Sequence, residues 1–133
     1  MTVRFGLTIE RGTPRAFVPF EIMCPCGACT EPARGAGLFD SGAPNVVIPS
    51  SALPPHVRFD DLPQGGSVPI SGVERRYAWW PAQTAVLGLL IADRVKVYET
   101  PTAGAWADFP ILGFVDVTTR FRVTFDVGAG GAP

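Results

Sequence analysis

The sequence predicts an all-β domain, on three observations. Hydrophobic residues make up 47% of the 133, and they fall in short runs rich in β-branched side chains. The 14 prolines and 15 glycines are spread along the chain, so turns punctuate those runs. Several runs alternate apolar and polar residues, the mark of a half-buried strand. The length suits one domain able to bury a real core, expected over 1–127, with 128–133 as a frayed tail.

Val3-Arg4-Phe5-Gly6-Leu7-Thr8-Ile9 alternates and reads as the first strand. Phe17 to Ile22 follows the Gly12-Thr13-Pro14 turn and completes a hairpin. Thr30 to Gly37 reads as a polar, glycine-rich loop. Leu38-Phe39 ends one buried strand and Val46-Val47-Ile48, closed by Pro49, forms another. Ala52 to Pro63 is turn-rich, and Pro54-Pro55 excludes a regular helix there.

Ser67 to Trp80 reads as strand, tip and strand, with the tip at Ser71, Gly72 and Val73. Gly65-Gly66 offers a second position for that tip. Gln83 to Ile91 and Arg94 to Tyr98 are two further strands joined at Ala92-Asp93. Trp79, Trp80 and Trp106 are read as core or interface residues. Val115 to Thr119 is a β-branched run with poor helix propensity.

Cys24, Cys26 and Cys29 are spaced closely enough to wrap one zinc ion. A structural site wants four ligands, and the only histidine, His56, lies well downstream. The expectation is therefore three reduced loop thiols, with no metal and no cofactor. A small β-barrel held by a zinc knot at these cysteines is the reading against it.

Asp40-Ser41-Gly42 stands between the two core strands that meet near residue 40. A carboxylate there needs a partner or a task. Alone, Asp-Ser-Gly is a common turn. With its frame, Leu38-Phe39 before and Ala43-Pro44-Asn45-Val46-Val47-Ile48-Pro49-Ser50 after, it resembles the active-site loop of the aspartic proteases. Phe109-Pro110-Ile111-Leu112-Gly113 resembles the late apolar-apolar-Gly element of that family. Phe121-Arg122-Val123-Thr124-Phe125-Asp126 resembles the strand that follows it.

The resemblance implies a single-lobe β-barrel of retropepsin type, with a flap hairpin and one short helix near the C-terminus. It puts the flap at Ser71, Gly72 and Val73, and the helix at Val115 to Thr119 against local propensity. Asp40 would be catalytic, with Ser41 and Gly42 supporting its loop. Asp116 and Asp126 would contact solvent and end a strand. One motif per chain implies a homodimer whose two Asp40 side chains form the catalytic pair. Two carboxylates about 3 Å apart, at an effective dielectric near 20, repel by roughly 5 kcal/mol if both ionise. One then stays protonated as the acid while the other serves as the base.

Two positions depart from the retroviral pattern. An Asp two residues after the motif glycine and an Arg just after the late glycine usually pair to brace the dimer. Pro44 and Phe114 stand there instead. An inactive dimerisation or peptide-binding module of the same fold is therefore the alternative to an endopeptidase. The net charge of −1 gives no footprint for nucleic acid or an anionic membrane, so the expected partners are a second copy and a peptide or protein substrate. No apolar run approaches the roughly 18 residues of a membrane span, and the start lacks a basic-then-apolar leader profile. The expected compartment is cytoplasmic.

Overall fold

The computed structural model describes residues 7–10, 13–26, 29, 31–40, 42–70, 72–100 and 110–124. Among them, ten strands join one curled sheet, with a single short α-helix. The expected tail and Trp106 lie outside the described residues, as does the turn between the first two strands. No helix among the described residues is long and apolar enough to cross a membrane.

Strand β1 (Leu7–Glu10) pairs antiparallel with β2 (Thr13–Met23), Leu7 opposite Ala16 and Glu10 opposite Thr13. Pro14 is thus a strand residue rather than part of the turn. Strand β3 (Ala33–Asp40) pairs antiparallel with β2, Phe20 opposite Gly35 and Phe17 opposite Leu38. The glycines read as loop therefore lie in the sheet. A Cβ at Gly35 would press on the Phe20 ring at 3.3 Å, and one at Gly37 would meet Leu112 Cγ at 2.9 Å. Their missing side chains let two large core residues lie flat over β3.

Strand β4 (Val47–Pro49) is wholly buried. Ser50–Ala52 and Phe59–Asp61 each form one 3₁₀ turn, so no regular helix crosses the proline-rich segment. Strands β5 (Gln64–Ile70) and β6 (Val73–Trp80) form a hairpin in which Ile70 pairs with Val73. Gly72, with φ of 80°, lies between these two strands at the tip, and Ser71 is outside the described residues. Gly65 and Gly66 instead lie in β5 beside a bulge, where the Tyr77 ring covers Gly65 and leaves no room for a Cβ.

The run Gln83 to Ile91 is not one strand. It folds back at Leu87-Gly88 into β7 (Gln83–Val86) and β8 (Leu89–Ala92). Both turn residues have positive φ, 51° and 79°. That is the handedness a two-residue hairpin connection needs, and glycine supplies half of it without strain. Strand β9 (Val95–Tyr98) pairs antiparallel with β6 and parallel with β4.

The last strand, β10 (Ile111–Gly113), enters the sheet between β3 and β4. It runs parallel to β3, Gly113 opposite Asp40, and antiparallel to β4, Ile111 opposite Val47. Two strands joined by a tight turn are thus held apart by a third from far along the chain. The helix α1 (Phe114–Thr118) starts directly from β10. Residues 121–124 are not in a strand, contrary to the expectation for 121–126, although Phe121 and Val123 pack on the core. That core is built around Phe20, Val46, Ile48, Trp80, Val97 and Leu112.

On β6 and β9 the polar face carries an aromatic–cation ladder. The Arg94 guanidinium lies 3.7 Å from the Trp79 ring centroid and Lys96 Nζ 4.7 Å from that of Tyr77. Trp80 is buried, as expected, whereas Trp79 belongs to this ladder.

Candidate functional site

The Asp40 turn is built from both ends of the chain. Asp40 closes β3, half-buried, and its Oδ1 accepts the Gly42 N–H at 2.8 Å. The Asp40 carbonyl accepts the Ala43 N–H at 3.2 Å. A Cβ at Gly42 would sit 3.3 Å from Asp40 Oδ1, so this position crowds any side chain against the carboxylate.

Helix α1 then docks its first turn on the loop. The first backbone N–H groups of a helix lack intrahelical partners. Here Phe114 N–H donates to the Ala43 carbonyl at 2.7 Å, while Val115 and Asp116 N–H donate to the Pro44 carbonyl at 3.1 and 3.2 Å. Pro44 has no N–H to offer, but its carbonyl serves two donors. Gly113 makes the approach possible, because a Cβ there would collide with the backbone N, C and O of Asn45. This docking accounts for a helix in a β-branched segment: the orphan donors are satisfied and Val117 is buried.

Asp116 does not face solvent alone, as expected of it. Its Oδ2 accepts the Val46 N–H at 2.7 Å, and burial raises its carboxyl above the usual aspartate range against the opposing pull of that bond. Asp126 lies outside the described residues. So do Ser41 and Ser71, two of the expected site residues. Gly72 has φ of 80° with nothing within 4 Å of a would-be Cβ, and Val73 beside it is 45% exposed. Phe114, noted above as a departure from the pattern, is 40% exposed and its ring lies 6.1 Å from that of Phe39.

A second constellation forms where none was expected. The premise that the cysteines lack a fourth ligand nearby does not hold. Cys26 Sγ lies 3.0 Å from Cys24 Sγ, 2.9 Å from Cys29 Sγ and 3.0 Å from His56 Nε2. Cys24 and Cys29 each place Sγ 3.5 Å from the same nitrogen. Hydrogen bonds from Cys26 and then Cys24 push the Cys29 thiol up to about 12. The signal missed was topological: His56 follows Pro54-Pro55 in the segment after β4, far from any short ligand motif.

No protein-family profile matches the chain, and no curated protein matches it.

Proposed function

We propose that the chain is a homodimeric aspartic endopeptidase of retropepsin type, hydrolysing peptide bonds with a water held between the Asp40 side chains of two copies. The observation that carries this reading is the crossing of β10 between the two strands that flank Asp40. It supports a carboxylate anchored at a rigid strand end, as a catalytic pair needs. The Gly42 N–H on Oδ1 restricts how that carboxylate turns.

The ionised Asp40 takes a proton from the water as its oxygen bonds to the scissile carbonyl carbon. The protonated Asp40 of the second copy gives its proton to the carbonyl oxygen, leaving a neutral tetrahedral diol. When the C–N bond breaks, one diol hydroxyl returns a proton to a carboxylate and the nitrogen gains one. The products are a carboxyl and an amine, with the pair again singly protonated. No covalent intermediate is required. Gly72 and Val73, at the tip of the β5–β6 hairpin, would close over the substrate as a flap. Exposed Phe114 and Val115 would brace the dimer by apolar contact in place of an ion pair.

The deciding experiment is cleavage of a diverse peptide pool by the purified chain from about pH 3 to about pH 8, against Asp40→Asn. Cleavage that the variant loses supports the enzyme. Absence of cleavage from a folded dimer favours the non-catalytic module, to which Pro44 and Phe114 lend weight.

A further inference from the structure

The geometry points to a structural zinc site formed by Cys24, Cys26, Cys29 and His56, independent of the Asp40 loop. The ligand atoms of these four residues all lie within 4.8 Å of one another. A tetrahedral zinc, with Zn–S of about 2.3 Å and Zn–N of about 2.0–2.1 Å, needs ligand atoms about 3.5–3.8 Å apart. Two sulfur–nitrogen separations are 3.5 Å, whereas the three contacts of Cys26, at 2.9–3.0 Å, are shorter than that range. Movement of the Cys26 sulfur away from its three neighbours would bring those contacts into the range.

Ordinary packing does not explain the crowding. Nonbonded carbon atoms rest about 3.5–4.0 Å apart, and sulfur is larger. Three thiols and an imidazole have little reason to converge head to head unless a cation takes their lone pairs. Thiolate and imidazole donors together favour zinc over hard cations such as magnesium or calcium. Four protein ligands leave no position for water or substrate, so the site is structural rather than catalytic.

The fold gives the ion a task. The three cysteines lie in the connection from β2 to β3, and His56 lies between the two 3₁₀ turns that follow β4. One ion therefore ties together two irregular segments that share no strand pairing. Cys24, Leu53 and Val57 pack against the core, so the ligands are backed by apolar surface. Such backing limits water at the ligands and favours retention of the metal.

The test is metal content of the full chain, purified under reducing conditions without chelator and then dialysed with and without added zinc. One zinc per chain should remain, and the three thiols should resist alkylation until a strong chelator is added. Cobalt in its place should give thiolate charge-transfer absorption with the intense visible bands of a tetrahedral site. His56→Ala should weaken zinc binding by about 100-fold or more, since loss of even an outer-shell partner costs about 10–100-fold. The chelator should lower the melting temperature of the wild type, and zinc should restore it. Chains that retain no zinc after loading, with thiols equally reactive in both samples, overturn the proposal. So does a His56→Ala variant that holds zinc as tightly as the wild type. Neither readout depends on peptide cleavage, so this site stands or falls apart from the Asp40 reading.

Discussion

The carboxylate of Asp116 accepts the backbone N–H of Val46 at 2.7 Å, across 70 positions of sequence. The bond fastens the end of the Asp40 loop to the first turn of α1, whose own N–H groups hold the loop carbonyls of Ala43 and Pro44. Loop and helix thus satisfy each other. Neither segment is regular enough to satisfy its own backbone, so disturbing one should release the other.

Asp116→Ala should therefore cost about 1–3 kcal/mol, the penalty of leaving a buried donor unpaired, because Val46 is fully buried. Asp116→Asn keeps one acceptor and should cost less. The carboxyl is raised mainly by burial, so the folded state holds this proton more tightly than the unfolded chain does. Its contribution is present at low pH and is lost as pH rises from the ordinary value of 3.8 through the folded one. Urea unfolding across that window should show the decline in wild type and not in Asp116→Asn. Identical slopes in the two proteins would sink the assignment.

Gly113→Ala should destabilise by about 1–3 kcal/mol or more, since the added methyl meets backbone atoms of Asn45 that have no rotamer to escape into. A useful control is Gly88→Ala, which meets nothing within 4 Å and pays only for its positive φ, about 1–2 kcal/mol. If the first change disturbs the β3–β10 crossing, hydrogen exchange at Leu38 and Leu112 should quicken in Gly113→Ala alone. Equal exchange in both variants would mean that the crossing tolerates a Cβ.

Much of this arrangement can be read from residues, and the gaps have physical causes. Val46 to Ile48, and Val95 and Val97 on either side of Lys96, are β-branched, apolar and bounded by turn residues, so local signal and tertiary environment agree. The break at Leu87-Gly88 hides inside an apolar run, where one glycine marks both a hairpin and nothing at all. Gly35 and Gly37 look like loop because the reason for them, the bulk of Phe20 and Leu112, lies on other strands. Helix α1 could be expected only from the resemblance, because its capping groups come from the Asp40 loop. His56 joins the cysteines only through the path of the chain after β4, which periodicity cannot report.

If the hairpin tip closes over a peptide in a dimeric enzyme, as proposed, Gly72→Val should lower turnover while leaving the fold and the pairing of copies intact. The position needs φ of 80°, which a β-branched residue resists, yet open space surrounds it. The strain, about 1–2 kcal/mol, falls on exposed Gly72 rather than on the core. Steady-state cleavage beside a thermal melt separates the two effects. Unchanged turnover would remove the hairpin tip from the catalytic cycle.

The strictest prediction concerns Asp40 itself. If catalysis needs one Asp40 from each copy, Asp40→Asn chains should fold and dimerise normally, because the amide fills the same space without like-charge repulsion. The amide oxygen can still accept the Gly42 N–H, so the local turn persists. Heterodimers of wild type and variant then hold a single carboxylate and cannot supply acid and base together. With equal amounts and free exchange, roughly a quarter of the dimers remain fully wild type under closed two-fold assembly. Activity plotted against the fraction of variant chain, well above the dimer dissociation constant, should fall quadratically. A straight-line fall would mean that each copy works alone, and the shared pair would have to be abandoned.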